Sequence, residues 1–258
     1  MKKRYFGPSW FAIFLLILMM LACNALQAPV PTAVPTNTST SLPASTALPT
    51  DTVVPTETQD VAATQQTSDM QSRIQKYVQA GYLTSDKGNF TALVDSSSEL
   101  AKKNYLSVKD AGFEDKTRDF AVWSHVKLSS AASVNYPEYS GCGFIFRLAD
   151  NGDSYRAMVT KDRVLMAMCR NLHCTEVGKT KGSGRLSYDN DFEADVELIV
   201  NDMSAHVLVD GQSIGDYSLS STYLTDPGFV GYTVISGTNK DYGTRCEFSN
   251  GGLWTPEQ

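Results

Sequence analysis

The chain has 258 residues, with 22 lysines and arginines against 28 aspartates and glutamates, a net charge of −6. That balance argues against nucleic acid as a partner, because phosphate binding needs clustered cations.

The N-terminus opens with Met1-Lys2-Lys3-Arg4, a basic stretch, followed by the apolar run Phe11–Leu21. About eleven apolar residues match the core of an export signal and are too few to span a bilayer. Met20-Leu21-Ala22-Cys23 resembles the lipobox of bacterial lipoproteins, with Met20 where leucine is more usual. The resemblance implies that residues 1–22 are a signal peptide cleaved after Ala22. It also implies a diacylglyceryl group on the Cys23 thiol and acylation of the new amine. Two or more acyl chains anchor stably where one does not. The alternatives are an ordinary secretory signal or an uncleaved membrane helix. Without Lys2, Lys3 and Arg4 the totals become 19 against 28, a mature charge of −9. Lipid rather than charge must then hold the protein to an anionic membrane surface. No second apolar run is long enough to span a membrane.

Residues 23–67 read as a disordered Pro/Thr/Ser-rich stalk. Pro29, Pro31, Pro35, Pro43, Pro49 and Pro55 recur among Thr, Ser, Ala and Val, without an aromatic, Lys or Arg from Gln27 to Thr67. Such a composition cannot bury enough apolar surface to offset chain entropy. In polyproline II, at ~3.1 Å per residue, it reaches on the order of 100 Å. It is either a spacer through a wall or glycan layer, or a tether without tuned length.

Residues 68–258 read as one domain. Ser68 or Asp69 is positioned to cap a short helix, Met70, Ile74, Tyr77 and Val78 share a face, and Gly81 stops it. Strands follow. Tyr82–Leu93 carries the turn signal Asp86-Lys87-Gly88-Asn89 and reads as a hairpin. Phe120, Val122, Ser124, Val126 and Leu128 alternate with Ala121, Trp123, His125 and Lys127. Cys142–Leu148 turns at Asp150-Asn151-Gly152-Asp153 into Ser154–Thr160, and Arg163–Met168 comes next. Phe192–Val200 alternates and leads through Asn201-Asp202 into Ala205–Val209, then through Asp210-Gly211 into Gln212–Leu219. Phe229–Ser236 and Thr244–Phe248 close the chain. Period-two alternation with turns at this spacing predicts an all-β antiparallel sandwich.

Three stretches carry a resemblance. Gly141-Cys142-Gly143-Phe144-Ile145-Phe146-Arg147, with Tyr155 after the turn, is similar to the G-x-G-F-x-F-R hairpin of concanavalin A-like domains. Ala205-His206-Val207-Leu208-Val209-Asp210-Gly211 resembles their v-x-V-D/N-G hairpin. Gly228-Phe229-Val230-Gly231-Tyr232 resembles their late G-x-V-G-L strand, with Tyr232 in place of leucine. The resemblance implies a jelly-roll β-sandwich near the laminin-G-like and 3-keto-disaccharide-hydrolase-like branches. That family holds lectins, glycosidases and adhesion modules, so fold does not settle function.

Glu193-Ala194-Asp195-Val196-Glu197 resembles the E-x-D-x-E catalytic strand of lichenase-type glycosidases, which implies Glu193 and Glu197 as nucleophile and acid with Asp195 between them. Against this, Cα atoms four residues apart on a strand lie about 13 Å apart, whereas a retaining pair brings its carboxyls to ~5.5 Å. The competing reading is the solvent side of a half-buried strand. Cys169, His173 and Cys174 are zinc-ligand types without an evident fourth ligand. Asp150, Asn151 and Asp153 offer oxygens for Ca²⁺ but lack EF-hand spacing. No metal or other cofactor is expected. Candidate glycan contacts are Trp123, His125, Tyr136, Tyr139 and Tyr242, since loop aromatics beside polar groups suit recognition.

With Cys23 given to lipid, Cys142, Cys169, Cys174 and Cys246 form an even set in an oxidising compartment, which favours two disulfides. Cys169 and Cys174 enclose a four-residue loop. Cys142 opens one strand and Cys246 lies on the closing one, and jelly-roll topology tends to set early and late strands side by side. The expected pairs are therefore Cys142–Cys246 and Cys169–Cys174. The whole reads as a lipid-anchored, surface-displayed binding module for glycan or another extracellular partner. The alternatives are a glycoside hydrolase using Glu193 and Glu197, or a structural envelope module.

Overall fold

A computed structural model describes residues 61–131, 140–171, 173–178 and 184–257. The expectations for Cys23, the signal segment, the tether before residue 61, Tyr136 and Tyr139 lie outside the described residues.

Helix α1 runs over Val61–Gln79. Ser68 and Asp69 therefore sit inside it and do not cap it. The physical reason is the absence of breakers: the last proline before it is Pro55 and the first glycine after it is Gly81. Gly81 ends it with φ +76°. Its N–H donates to the Val78 carbonyl at 3.0 Å, and the Tyr82 N–H donates to the Tyr77 carbonyl at 2.9 Å. That pair of bonds is a Schellman closure, which a residue with Cβ adopts only under strain. Among the described residues no helix is long and apolar enough to cross a membrane.

Thirteen strands follow: β1 Gly88–Ala92, β2 Ser96–Leu100, β3 Tyr105–Lys109, β4 Phe120–Ser130, β5 Gly141–Leu148, β6 Ser154–Thr160, β7 Val164–Arg170, β8 His173–Glu176, β9 Asp191–Asn201, β10 Ser204–Val209, β11 Gln212–Ser218, β12 Phe229–Ser236 and β13 Thr244–Pro256. They form two sheets. Sheet A has the order β1-β13-β4-β9-β10-β11, with β2 pairing further along the same side of β13. Sheet B has the order β3-β12-β5-β6-β7-β8. Every strand pair within the sheets is antiparallel, so the domain is a jelly-roll-like sandwich.

The expected hairpin over Tyr82–Leu93 does not form. Residues 82–87 make no strand, and β1 instead pairs with the end of β13, Gly88 opposite Pro256. The long edge of β13 offers it more backbone partners than a short local arm.

Inward positions make one core. Phe120, Val122, Val126 and Leu128 of β4 meet Phe144 and Phe146 of β5 and Phe192, Val196 and Leu198 of β9. A second cluster lies on the outer face of sheet A, where Ile74, Tyr77 and Leu83 cover Ala121, Trp123, Ile199, Leu208 and Trp254. Each fully buried large side chain contributes on the order of 1.5–3 kcal/mol, so this patch suffices to hold α1 on the sheet.

Cys142 is bonded to Cys246 with 5.8 Å between Cα atoms, and Cys169 is bonded to Cys174. The expected side-by-side strands need correction. β5 belongs to sheet B and β13 to sheet A, so the longer bridge crosses between the sheets. Cys169 and Cys174 are direct partners across the β7–β8 pair. Two disulfides are the mark of a chain that matures outside the reducing cytosol.

Candidate functional site

The outer face of sheet A is built by alternation. β9 turns Phe192, Ala194, Val196 and Leu198 inward, which leaves Glu193, Asp195 and Glu197 outside. Register with β4 sets Lys127 opposite Glu193, His125 opposite Asp195 and Trp123 opposite Glu197. On the other side of β4, β13 adds Glu247 opposite Lys127, Ser249 opposite His125 and Gly252 opposite Trp123. Gly252 is required there, because a Cβ would meet the Trp123 ring at 2.3 Å.

α1 divides this face. Over one half, Arg73 pairs with Glu197 and lies above the Trp123 ring, 5.1 Å from its centroid. Phe90 meets the same ring edge-on at 6.4 Å. The Tyr77 hydroxyl is buried nearby; burial first, and the Glu197 carboxylate second, push its ionisation far upward. Trp123 is 7% exposed, so it is no open platform for a sugar ring while α1 is docked. That corrects the expectation of an exposed tryptophan, and the physical reason is the apolar face of α1.

The other half is open. His125 Nδ1 lies 2.9 Å from Asp195 Oδ1, and its Nε2 lies 3.7 Å from Glu193 Oε2. Lys127 Nζ donates to Glu193 Oε1 at 3.1 Å. Lys127 holds the Glu193 carboxyl below the usual range, and Glu193 in turn raises the Lys127 ammonium. Asp95, Ser97, Glu247 and Ser249 complete the rim of a cleft of about 600 Å³. Donors and carboxylates alternate across it, an arrangement suited to a hydroxyl-rich or cationic ligand.

Of the expected contacts, His125 sits in this cleft. Tyr242 is capped by the Arg245 guanidinium, 4.6 Å from its ring centroid, and Arg245 binds Glu99. Glu193 and Asp195 share the open half with His125, while Glu197 is drawn under α1. His173 is exposed beside a bonded cysteine pair, so those sulfurs are not free thiolates for zinc. Asp150 pairs with Lys116 at 2.9 Å, and the Asn151 side chain bonds the backbone N–H of Asp153 at 3.0 Å. Sequence reading passed over Arg73, Lys127, Glu247 and Asp95. Lys127 and Glu247 were open to view as polar members of alternating strands. Arg73 was not, because only the docked helix brings it to the sheet.

No family model matches the chain, and no curated protein matches it. Among solved structures it is similar to the carbohydrate-binding module CBM66 from Bacillus subtilis, at 12% identity and TM-score 0.47, over 64% of this chain and 95% of that one. It is also similar to the apo Crh5 transglycosylase, at 10% identity and TM-score 0.43, over 67% of this chain and 80% of that one. Sheep galectin-11 in complex with glycerol aligns at 12% identity and TM-score 0.30, over 60% of this chain and 95% of that one. Likeness at this level says nothing of ligand or reaction.

Proposed function

We propose that the protein is a concanavalin A-like binding module held on the outer face of a bacterial membrane by lipid on Cys23, with residues 1–22 removed and the segment up to α1 acting as tether. It binds glycan, or another extracellular partner, without catalysis. The observation that carries this reading is the open polar half of sheet A, where His125, Lys127, Glu193 and Asp195 present matched donors and acceptors. The lipobox-like junction supports the anchor, and the two disulfides support export.

The Arg73–Glu197 pair weighs against the glycosidase alternative. A general acid needs access to a glycosidic oxygen, and the Glu197 side chain is 10% exposed beneath a guanidinium. A glycan array probed with the full chain tests the reading. The expected result is a bound glycan class whose signal falls at least about tenfold in His125→Ala or Glu193→Gln, as for loss of a charge-assisted hydrogen bond. Glu197→Gln should bind as the wild type does. Cleavage of an arrayed glycan, lost in Glu193→Gln, would replace this reading with the hydrolase. Mass spectrometry of the mature N-terminus decides the anchor, and a free amine at another residue would remove it.

A further inference from the structure

A second opening lies toward the β11 edge of sheet A, between α1 and the β10–β11 hairpin, and shares no lining residue with the His125 cleft. It holds about 600 Å³. α1 supplies one wall with Ser72, Arg73 and Lys76, while Leu208 and Ser213 come from the sheet. The rim is open to solvent: Ser72, Lys76 and Ser213 are exposed, and a Cβ on Gly211 would meet nothing within 4 Å.

Tyr82 gives this cleft an aromatic wall, and it is fixed in three ways. Its N–H donates to the Tyr77 carbonyl at 2.9 Å, and its own carbonyl accepts from Asn201 Nδ2 at 3.2 Å. Its ring stacks on His206 with centroids 4.3 Å apart. His206 is held in turn by Asp216, Nδ1 to Oδ1, at 2.7 Å. His206 does not line the cleft, so the tyrosine ring presents its remaining surface there. A half-buried aromatic held this firmly loses little entropy on contact and offers an apolar surface beside polar groups, which suits the C–H face of a pyranose.

The polar groups beside it have donors to spare. Arg73 Nη1 serves Glu197, and a guanidinium carries five N–H groups. Among the described residues no carboxylate pairs with Lys76. Asp69, the other carboxylate of the cleft, stands seven positions earlier, two turns or about 10 Å along the axis. A lysine in a last turn complements the helix dipole in any protein. Here it also shares a cleft with a guanidinium and a braced aromatic ring.

We propose that this cleft binds the uronate residue of a glycan, its pyranose face on Tyr82 and its carboxylate on Lys76 and Arg73. Ser72 and Ser213 stand at the rim for the ring hydroxyls. The chain as a whole carries −6, which repels a long polyanion and favours a short one. The site is separate from the His125 cleft and does not rest on the reading given for it.

Isothermal titration of the full chain with the trisaccharides of galacturonate, glucuronate and mannuronate, each beside its methyl ester, tests the proposal. At least one acid should bind, and its ester, which keeps the rings and loses the charge, about tenfold more weakly. Lys76→Gln, a change at an exposed position, should bring acid and ester to within about twofold of each other. Tyr82→Leu should weaken both by about fivefold, as for loss of an aromatic contact, and Tyr82→Phe should bind as the wild type does. The phenylalanine variant keeps the His206 stack, and Lys76→Gln serves if the leucine variant does not fold. His125→Ala should leave this binding unchanged, which separates it from the fate of the other cleft. No binding of any of the three acids, equal binding of their esters, an unchanged preference in Lys76→Gln, or loss of binding in His125→Ala would each overturn the proposal.

Discussion

Arg73 joins α1 to sheet A by two contacts of different kinds, an ion pair with Glu197 and a cation–π contact with Trp123. The two partners of the ion pair are not equivalent. The Glu197 side chain is 10% exposed, whereas that of Arg73 is 32% exposed and reaches water. Removing the guanidinium leaves a carboxylate uncompensated in a nearly dry place. Removing the carboxylate's charge leaves a cation that solvates itself. Arg73→Ala is therefore expected to cost about 2–3 kcal/mol and Glu197→Gln about 1 kcal/mol, with part of the first recovered in the double variant. Denaturant midpoints of the three variants measure this. A glutamine substitution as costly as the alanine one would show that the asymmetry is absent. Nothing local in the sequence announces this contact, since its partners stand 124 positions apart.

Among the elements, β5 and β13 are tied by the Cys142–Cys246 bridge, which closes a loop of sequence separation 104, while Cys169–Cys174 closes one of 5. Constraint on the unfolded chain grows with loop length, so the long bridge is worth up to ~4.7 kcal/mol and the short one less. Cys142→Ser should lower the melting temperature several degrees more than Cys169→Ser does, read by calorimetry; equal losses would refute it. The elements differ in how visible they were. β6 and β12 are read from sequence to the residue, because turn residues bound each of them. β2, Ser96–Leu100, is three serines, a glutamate and a leucine and carries no alternation; it exists because β13 offers it an edge. β13 runs on past Phe248 through Asn250-Gly251-Gly252, which reads as a turn and is in fact a register shift against β4. The polar half of the candidate site was legible as alternation along β4 and β9. Its covered half was not, because α1 docks by tertiary packing that no local pattern encodes.

At the scale of the whole molecule, four tyrosines tie both layers and the docked helix to one pH limit. Burial is the largest cause of the raised ionisation of Tyr77 on the inner face of α1 and of Tyr188, Tyr217 and Tyr232, the last three reaching about 12. Tyr217 and Tyr232 are core residues, 3% and 0% exposed. An unfolded tyrosine ionises near pH 10. Below that pH the phenols are neutral in both states, and their contribution to stability is intact. Above it the unfolded chain releases protons that the folded chain still holds, so stability falls as pH rises from about 10 toward 12. A fully buried phenol removes up to about 1.4 kcal/mol per pH unit in that window. Tyr188, bonded to Asp210 near the surface, contributes less because water screens it. The melting temperature is expected to stay nearly level between pH 7 and about 9.5 and then to drop. Tyr217→Phe, which removes one of these phenols and its 3.4 Å bond to the Val164 carbonyl, should lower stability slightly at pH 7 and soften the alkaline fall. A melting temperature level past pH 11 would show that these rings titrate in contact with water and are not held in the core.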